Sequence, residues 1–179
     1  KDTRDIHLNE HGGYSKPWLY YSEIGAAKRV SELAFSPRPI PDAIIQNALT
    51  GLEADQSLKL SYSDKQKKGI EMAANAGAFL LTGGPGTGKT TTLLGLLKVF
   101  EAAHFTIKLA APTGRAAKRM SEVTGHFALT IHRLLKYEPE TSGFAHDDTN
   151  PLEADAIIID EASMIDTVLF FSLVKAVRP

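Results

Sequence analysis

The 179-residue sequence has no cysteine, one tryptophan and three methionines. Without cysteine there is no disulfide scaffold, no thiolate zinc site and no cysteine nucleophile; the composition suits a reducing cytosol, so a cytoplasmic location is expected. No apolar run approaches the ~18–20 residues that span a bilayer, and the polar stretch 1–10 lacks the apolar centre of a signal peptide. No membrane partner is expected. Neither sign of charge dominates: 20 Lys+Arg stand against 21 Asp+Glu, a net charge of −1. That excludes a uniformly basic nucleic-acid coat but leaves room for a local basic patch. Repeats of fixed period and low-complexity tracts are also missing, which argues against a solenoid. What is present is a globular mix, 43% hydrophobic and 23% charged, of roughly one domain's length.

The chain divides into a mostly helical piece, 1–58, and a larger unit, 59–179. Residues 1–15 are polar, with Gly12 and Gly13 as a turn, and read as a frayed strand or linker. A helix is predicted from Pro17 to about Phe35, Pro17 suiting its first position. Tyr20, Ile24, Ala27, Val30 and Ala34 recur at helical spacing and mark its predicted inner face. The stretch 36–41, with prolines at 37, 39 and 41, is a stiff connection. A short helix over 42–50 is predicted to stop at Gly51.

Beyond residue 59 strand and helix patterns alternate, which predicts an α/β fold with a parallel sheet flanked by helices. Strands are predicted at 78–82, 106–111 and 156–160. Helices are predicted over 64–76, 89–103, 114–123, 130–136 and 167–177, with 138–150 a polar loop. Gly83-Gly84-Pro85-Gly86-Thr87-Gly88-Lys89-Thr90 matches G-x-x-x-x-G-K-[ST] between an apolar strand pattern and a helical one. Glycines let successive N–H groups converge on a phosphate chain, and the helix beginning at Lys89 adds the positive end of its dipole. The Lys89 ammonium suits the β- and γ-phosphates of a nucleotide such as ATP, and the Thr90 hydroxyl suits Mg²⁺. The bland alternative is a glycine-rich turn; the flanking pattern disfavours it. Asp160 and Glu161 close an apolar strand pattern, at the strand end where open α/β sheets bind ligands. Asp160 suits the Mg²⁺ shell and Glu161 the polarisation of an attacking water, which favours a hydrolase over a small-molecule kinase. A helix N-terminus would also favour two carboxylates there.

Two more patterns stay open on residue chemistry alone. Ser63 with Gln66 three residues on is a capping box, yet the Gln66 amide also has the donors and acceptor to read adenine. In Pro112-Thr113-Gly114-Arg115-Ala116-Ala117-Lys118-Arg119, the three cations share one helix face, and Thr113 begins a helix able to hold a phosphate. A solvated face explains such charges equally well. His132 and Arg133 place further donors near another helix start; His132 has no partner spacing for a metal site. Trp18 and most other aromatics fit core packing, whereas Phe127 and Tyr137 lie where base stacking is open to them.

Taken in order, 60–66, 81–91, 110–117, 130–135 and 159–164 resemble the motifs of superfamily 1 DNA helicases, most closely the RecD-like group. The resemblance covers about 60–166, with a weaker likeness over 18–33. It implies a RecA-like P-loop ATPase domain that uses ATP and Mg²⁺ and moves 5′ to 3′ on single-stranded DNA in recombination and repair. Gln66, Gly83, Gly84, Pro85, Gly86, Thr87, Gly88, Lys89, Thr90 and Thr91 would hold the nucleotide, with Gln66 capping its helix as well. Thr90 and Asp160 would hold the metal, and Lys89 and Glu161 would be catalytic. Pro112, Thr113, Gly114, Arg115, His132 and Arg133 would track the DNA or support those that do. Helicase and nuclease subunits are further partners it allows, although no nuclease carboxylate cluster is recognisable.

The sequence ends before the family's Gly-Asp-x-x-Gln segment and second motor domain. A missing arginine finger alone is worth ~10³–10⁵ in rate. These residues by themselves are therefore expected to bind nucleotide weakly, hydrolyse it poorly and not translocate. The competing classes are another P-loop ATPase, such as an AAA+ protein remodeller, and a non-enzymatic DNA-binding module.

Overall fold

The computed structural model describes residues 7–8, 13–55, 60–84 and 86–178. Gly12 of the predicted turn, the start of the larger unit at 59, and Pro85 lie outside the described residues. A two-residue ladder joins β1 (His7–Leu8) to β2 (Tyr14–Ser15) antiparallel. Helix α1 (Pro17–Ala34) starts as predicted, with extended Lys16 as N-cap and proline in its first turn. Its inner face is not the predicted one. Ser22, Ala26 and Leu33 are buried, while Ile24 and Ala27 are exposed. Small side chains decide this face, because they admit the ring of Phe171 on helix α7 (Thr167–Lys175). A Cβ at Gly25 would lie 2.5 Å from that ring. Arg29, on the same face, donates to the carbonyls of Val174 and Val177 and satisfies the end of α7.

After the proline stretch, helix α2 (Asp42–Ala54) runs through Gly51 rather than stopping there. Burial of Leu52 beside Ile45 and Leu49 outweighs the ~1 kcal/mol penalty of an interior glycine. Helices α3 (Asp64–Ala74) and α4 (Lys89–Ala102) pack with α2 around Ile45, Leu49, Ile70 and Val99.

The sheet has three parallel strands in the order β4 (Ala128–Thr130), β3 (Ile107–Ala111), β7 (Ala156–Ile159). Leu109 and Ala111 face α4 and helix α5 (Gly114–Thr124) through Leu97, Ala117 and Met120. Ala110 faces the opposite layer, with Ile131, Leu134, Leu169 and Leu173 from α6 (Ile131–Leu134) and α7. Helices on both sheet faces confirm the α/β class. Three local differences stand out. The predicted strand at 78–82 joins no ladder: Phe79, Leu80 and Leu81 are exposed, and the four residues of β7 are only half-buried. An apolar run becomes a strand only where it gains a hydrogen-bonded neighbour. β4, a strand that was not predicted, precedes the helix predicted from 130, which starts one residue later because Thr130 ends the strand and caps α6. The predicted polar loop folds into a hairpin of β5 (Tyr137–Glu138) and β6 (Gly143–Phe144). Among the described residues no helix is long and apolar enough to cross a membrane.

The stiff connection is latched to the sheet. Arg38 pairs with Asp155 and lies 5.3 Å from the centre of the Phe105 ring, while Asp155 accepts from Thr106 N–H at 2.8 Å. The Thr106 N–H first, and Arg38 next, hold the Asp155 carboxyl below its ordinary range. Near pH 4 the native state therefore binds fewer protons here than the unfolded chain. The stability this adds is present above the ordinary carboxylate pKa of ~3.9 and is lost as pH falls through it towards the lower native value. Asp155→Asn should flatten the acid limb of stability in urea unfolding from pH 7 to 3; limbs of equal slope would refute the latch. For packing, Gly25→Ala should cost about 1–3 kcal/mol through overlap with Phe171. Gly51→Ala, whose Cβ meets nothing within 4 Å, should gain about 0.5–1 kcal/mol. The same shift in both urea midpoints would contradict this account of the α1 face.

Candidate nucleotide and nucleic-acid sites

The phosphate loop is positioned by α3 and α4. Gly86 and Gly88 take φ of +72° and +80°, and Gly88 is the N-cap of α4. The left-handed turn at Gly88 has a second constraint, since a Cβ there would lie 2.2 Å from Gln66 Nε2. Lys89 folds back over the loop and donates to the carbonyls of Gly83 at 2.6 Å and Gly84 at 2.9 Å. Thr87 Oγ1 donates to the Gly84 carbonyl at 2.9 Å. The ammonium is thus held at the loop by weak neutral acceptors, which a phosphate's charged oxygens would outcompete. Thr90 is exposed and Thr91 half-buried at the start of α4.

Gln66 performs the capping role in full. Its N–H donates to Ser63 Oγ at 3.3 Å, and its Oε1 accepts from Ser63 N–H at 2.9 Å. Nε2 also donates to the Gly88 carbonyl at 3.3 Å, so the same side chain ties α3 to the phosphate loop. One Nε2 hydrogen and one Oε1 lone pair remain for another partner. The preceding segment is anchored by Glu53, which accepts from Tyr62 N–H and Lys67 Nζ. The Lys67 bond, then the Tyr62 bond, hold its carboxyl below the usual range.

Asp160 and Glu161 stand at the carboxyl end of β7, both exposed. Asp160 N–H donates to the Ala110 carbonyl at 3.0 Å, which extends the ladder with β3 by one residue. Asp160 Oδ1 accepts from Glu161 N–H at 2.9 Å, and Glu161 turns the chain with φ +54°. A non-glycine residue in that region is strained by about 1–2 kcal/mol, and such strain clusters at functional sites. Asp160 keeps its other oxygen, and Thr90 its hydroxyl, for a hard cation that also takes water and phosphate ligands; that donor set fits Mg²⁺. Beside the pair, α1 and α7 leave an apolar cleft of about 610 Å³ lined in part by Val30, Ser163 and Phe170.

The basic segment lies at the same sheet edge. β3 leads through Pro112 to Thr113, whose Oγ1 accepts from Ala116 N–H and caps α5. β4 ends at Thr130, whose Oγ1 accepts from Arg133 N–H. The register pairs Ala111 with Thr130, so the two caps sit side by side. Gly114, Arg115, His132 and Arg133 are exposed there. His132 is held edge-on to Tyr137 at 5.8 Å and tilted on Phe144, with the hairpin supplying both rings. The sheet thus places Asp160, Thr113 and Thr130 at the ends of adjacent strands, while no described hydrogen bond joins the phosphate loop to Asp160. The β5–β6 hairpin has no clear periodic signal in the sequence. Glu140-Thr141-Ser142-Gly143 between two aromatics was the available turn signal.

A family model described as an AAA domain matches residues 66–179. The chain is 44% identical over 117 residues to the ATP-dependent RecD2 DNA helicase of Deinococcus radiodurans, a match covering 65% of this chain and 16% of that protein. It is 40% identical over 140 residues to the RecBCD enzyme subunit RecD of Mycolicibacterium smegmatis, covering 65% and 25%. The RecD subunit of Buchnera aphidicola subsp. Schizaphis graminum is 30% identical over 204 aligned positions, covering 96% of this chain and 34% of that protein. The chain thus spans a sixth to a third of the length of these relatives. It belongs to the AAA domain family and is RecD-like in sequence.

Proposed function

We propose that this chain is the nucleotide- and DNA-binding part of an ATP-dependent DNA helicase that acts in recombination and repair in the cytoplasm. The supporting observation is the shared sheet edge: β7 leads to Asp160 and Glu161, β3 leads to Thr113, and β4 ends at Thr130. A carboxylate pair and two capping threonines at the ends of neighbouring strands couple a nucleotide site to a phosphate-backbone site through one rigid ladder. Gly83, Gly84, Pro85, Gly86, Thr87, Gly88, Thr90 and Thr91 would cradle the ATP phosphates, Lys89 would neutralise them, and Gln66 would reach adenine from its capping position. Asp160 and Thr90 would hold Mg²⁺, which when bound withdraws charge from the phosphate oxygens. Glu161 would orient and deprotonate the attacking water. Pro112, Thr113 and Gly114 would present backbone and hydroxyl groups to single-stranded DNA, with Arg115 and Arg133 supplying charge and His132 supporting them. RecD of Mycolicibacterium smegmatis is a subunit of the RecBCD enzyme, and by that likeness other helicase or nuclease subunits are candidate partners of this chain.

In the intact protein, Lys89→Ala should lower ATP turnover at least ~10²-fold, as loss of a principal charge stabiliser does. Unchanged turnover would exclude the phosphate loop from catalysis. Single-stranded DNA should stimulate the unsubstituted enzyme; stimulation by an unfolded polypeptide instead would favour a protein remodeller. Arg115→Ala should weaken single-strand binding and reduce the slope of log affinity against log salt by about 0.7, the value for one lost phosphate contact. An unaltered slope would remove Arg115 from the interface.

A further inference from the structure

Beyond the strand-end contacts lies a second feature of the same face. A groove of about 360 Å³ runs from Gly114, Thr130 and Arg133 along α5 and the outer side of β4 to Phe127. Phe127 immediately precedes β4 and is 78% exposed, far more than a ring needs for core packing. Its neighbour Ala128 is anchored in the opposite sense, buried and donating its N–H to Ser121 Oγ at 2.9 Å. The Ala128 bond pins the start of β4 against α5, and Phe127 lines the groove beside it. At ~3.3 Å per residue, Phe127 stands roughly 10 Å from Thr130.

We infer that Phe127 is a base-stacking platform, and that single-stranded nucleic acid continues from the Thr113–Thr130 edge down the α5–β4 groove. Charge selects this occupant over an apolar peptide. Lys118 and Arg133, both exposed, line the groove, and Arg115 and Arg119 extend the cationic surface on α5. A phosphate backbone needs such cations, and an exposed ring lining the same groove suits a base face. The one opposing charge in the lining, Glu122, is paired with Lys118 at 3.8 Å. Removing it would leave Lys118 free for a phosphate. The inference rests on the single-strand reading above and adds to it a residue that the motifs do not contain.

The test measures binding of a single-stranded oligothymidylate to the intact protein by titration across salt concentrations. Phe127→Ala should weaken binding about 5- to 150-fold, the range for loss of one stacked base. The salt slope should stay unchanged, in contrast to Arg115→Ala. Phe127→Trp should bind like the parent and show fluorescence quenched by the oligonucleotide beyond the quenching seen in the parent protein. Phe127→Leu, apolar but without a ring face, should bind like the alanine variant. Glu122→Gln should tighten binding by up to about fivefold at low salt. The exposure of Phe127 predicts unchanged thermal stability for all its variants. Parental affinity in Phe127→Ala, or in Phe127→Leu, would overturn the stacking role while leaving the strand-end contacts standing. No binding by the unsubstituted protein would overturn the single-strand reading and this inference with it.

Discussion

The placement of every strand-end group depends on one ladder, the pairing of β3 with β4 on one side and β7 on the other. Leu109, Ala110 and Ala111 are at most 3% exposed, and their side chains alternate between the two helical layers. A shift of one residue would exchange those layers, driving Leu109 into the side that Ala110 now fills, so the register is strongly fixed. The fixed register carries Thr130 opposite Ala111 and Ile159 opposite Ala110. Asp160 gains its position the same way, through its N–H on the Ala110 carbonyl. The positions of Asp160, Thr113 and Thr130 at this edge are therefore inherited from backbone pairing.

The phosphate loop is placed by different forces. Its contacts are with helices: Gln66 from α3 reaches the Gly88 carbonyl, and Thr92 Oγ1 of α4 reaches the same atom at 3.1 Å. Those helices pack on α2 through a separate apolar cluster, to which the sheet contributes only half-buried Ile107, Ala156 and Ile158. The loop and the acidic pair thus belong to two layers, joined by Leu97 of α4 on β3 and by the half-buried Ile107, Ala156 and Ile158. Under the proposed function, that division would suit phosphate-binding and metal-binding halves that accommodate both a nucleotide and its shorter product. Lys89 illustrates the point, because its two carbonyl partners hold the ammonium at the loop in a position that a charged ligand can take over.

Local chemistry was legible in the sequence; long-range packing was not. Ser63 and Gln66 form the capping box that their spacing signals, and Pro17 opens α1, because caps depend on residues within one turn. The face of α1 was misread because periodicity ranks residues by apolarity. Gly25 is selected instead by the bulk of Phe171, about 145 positions away in the chain. Residues 78–82 have the composition of a strand, but composition cannot supply a neighbour for the ladder. β4 is three residues long and flows directly into α6, so its pattern merges with the helical one. The charged face of α5 was visible as a spacing and Phe127 as a ring open to stacking, yet their meeting along one groove follows only from the way β4 docks.

Helix α5 shows how a nearly neutral chain presents a cationic surface without weakening its core. Ala117 and Met120 are buried against Leu97 and Leu109, and Ser121 ties the helix to β4 through the Ala128 N–H. Arg115, Lys118 and Arg119 project from the remaining arc, where the only ion pair they make is the long exposed one between Lys118 and Glu122 among the described residues. Exposed pairs of this kind contribute little to folding, so these cations are not held in place by structural duty. Their removal leaves the apolar stripe intact. The face that carries the charge is for that reason separable from the face that carries the fold, and an effect of altering it on nucleic-acid affinity reports on binding rather than on stability.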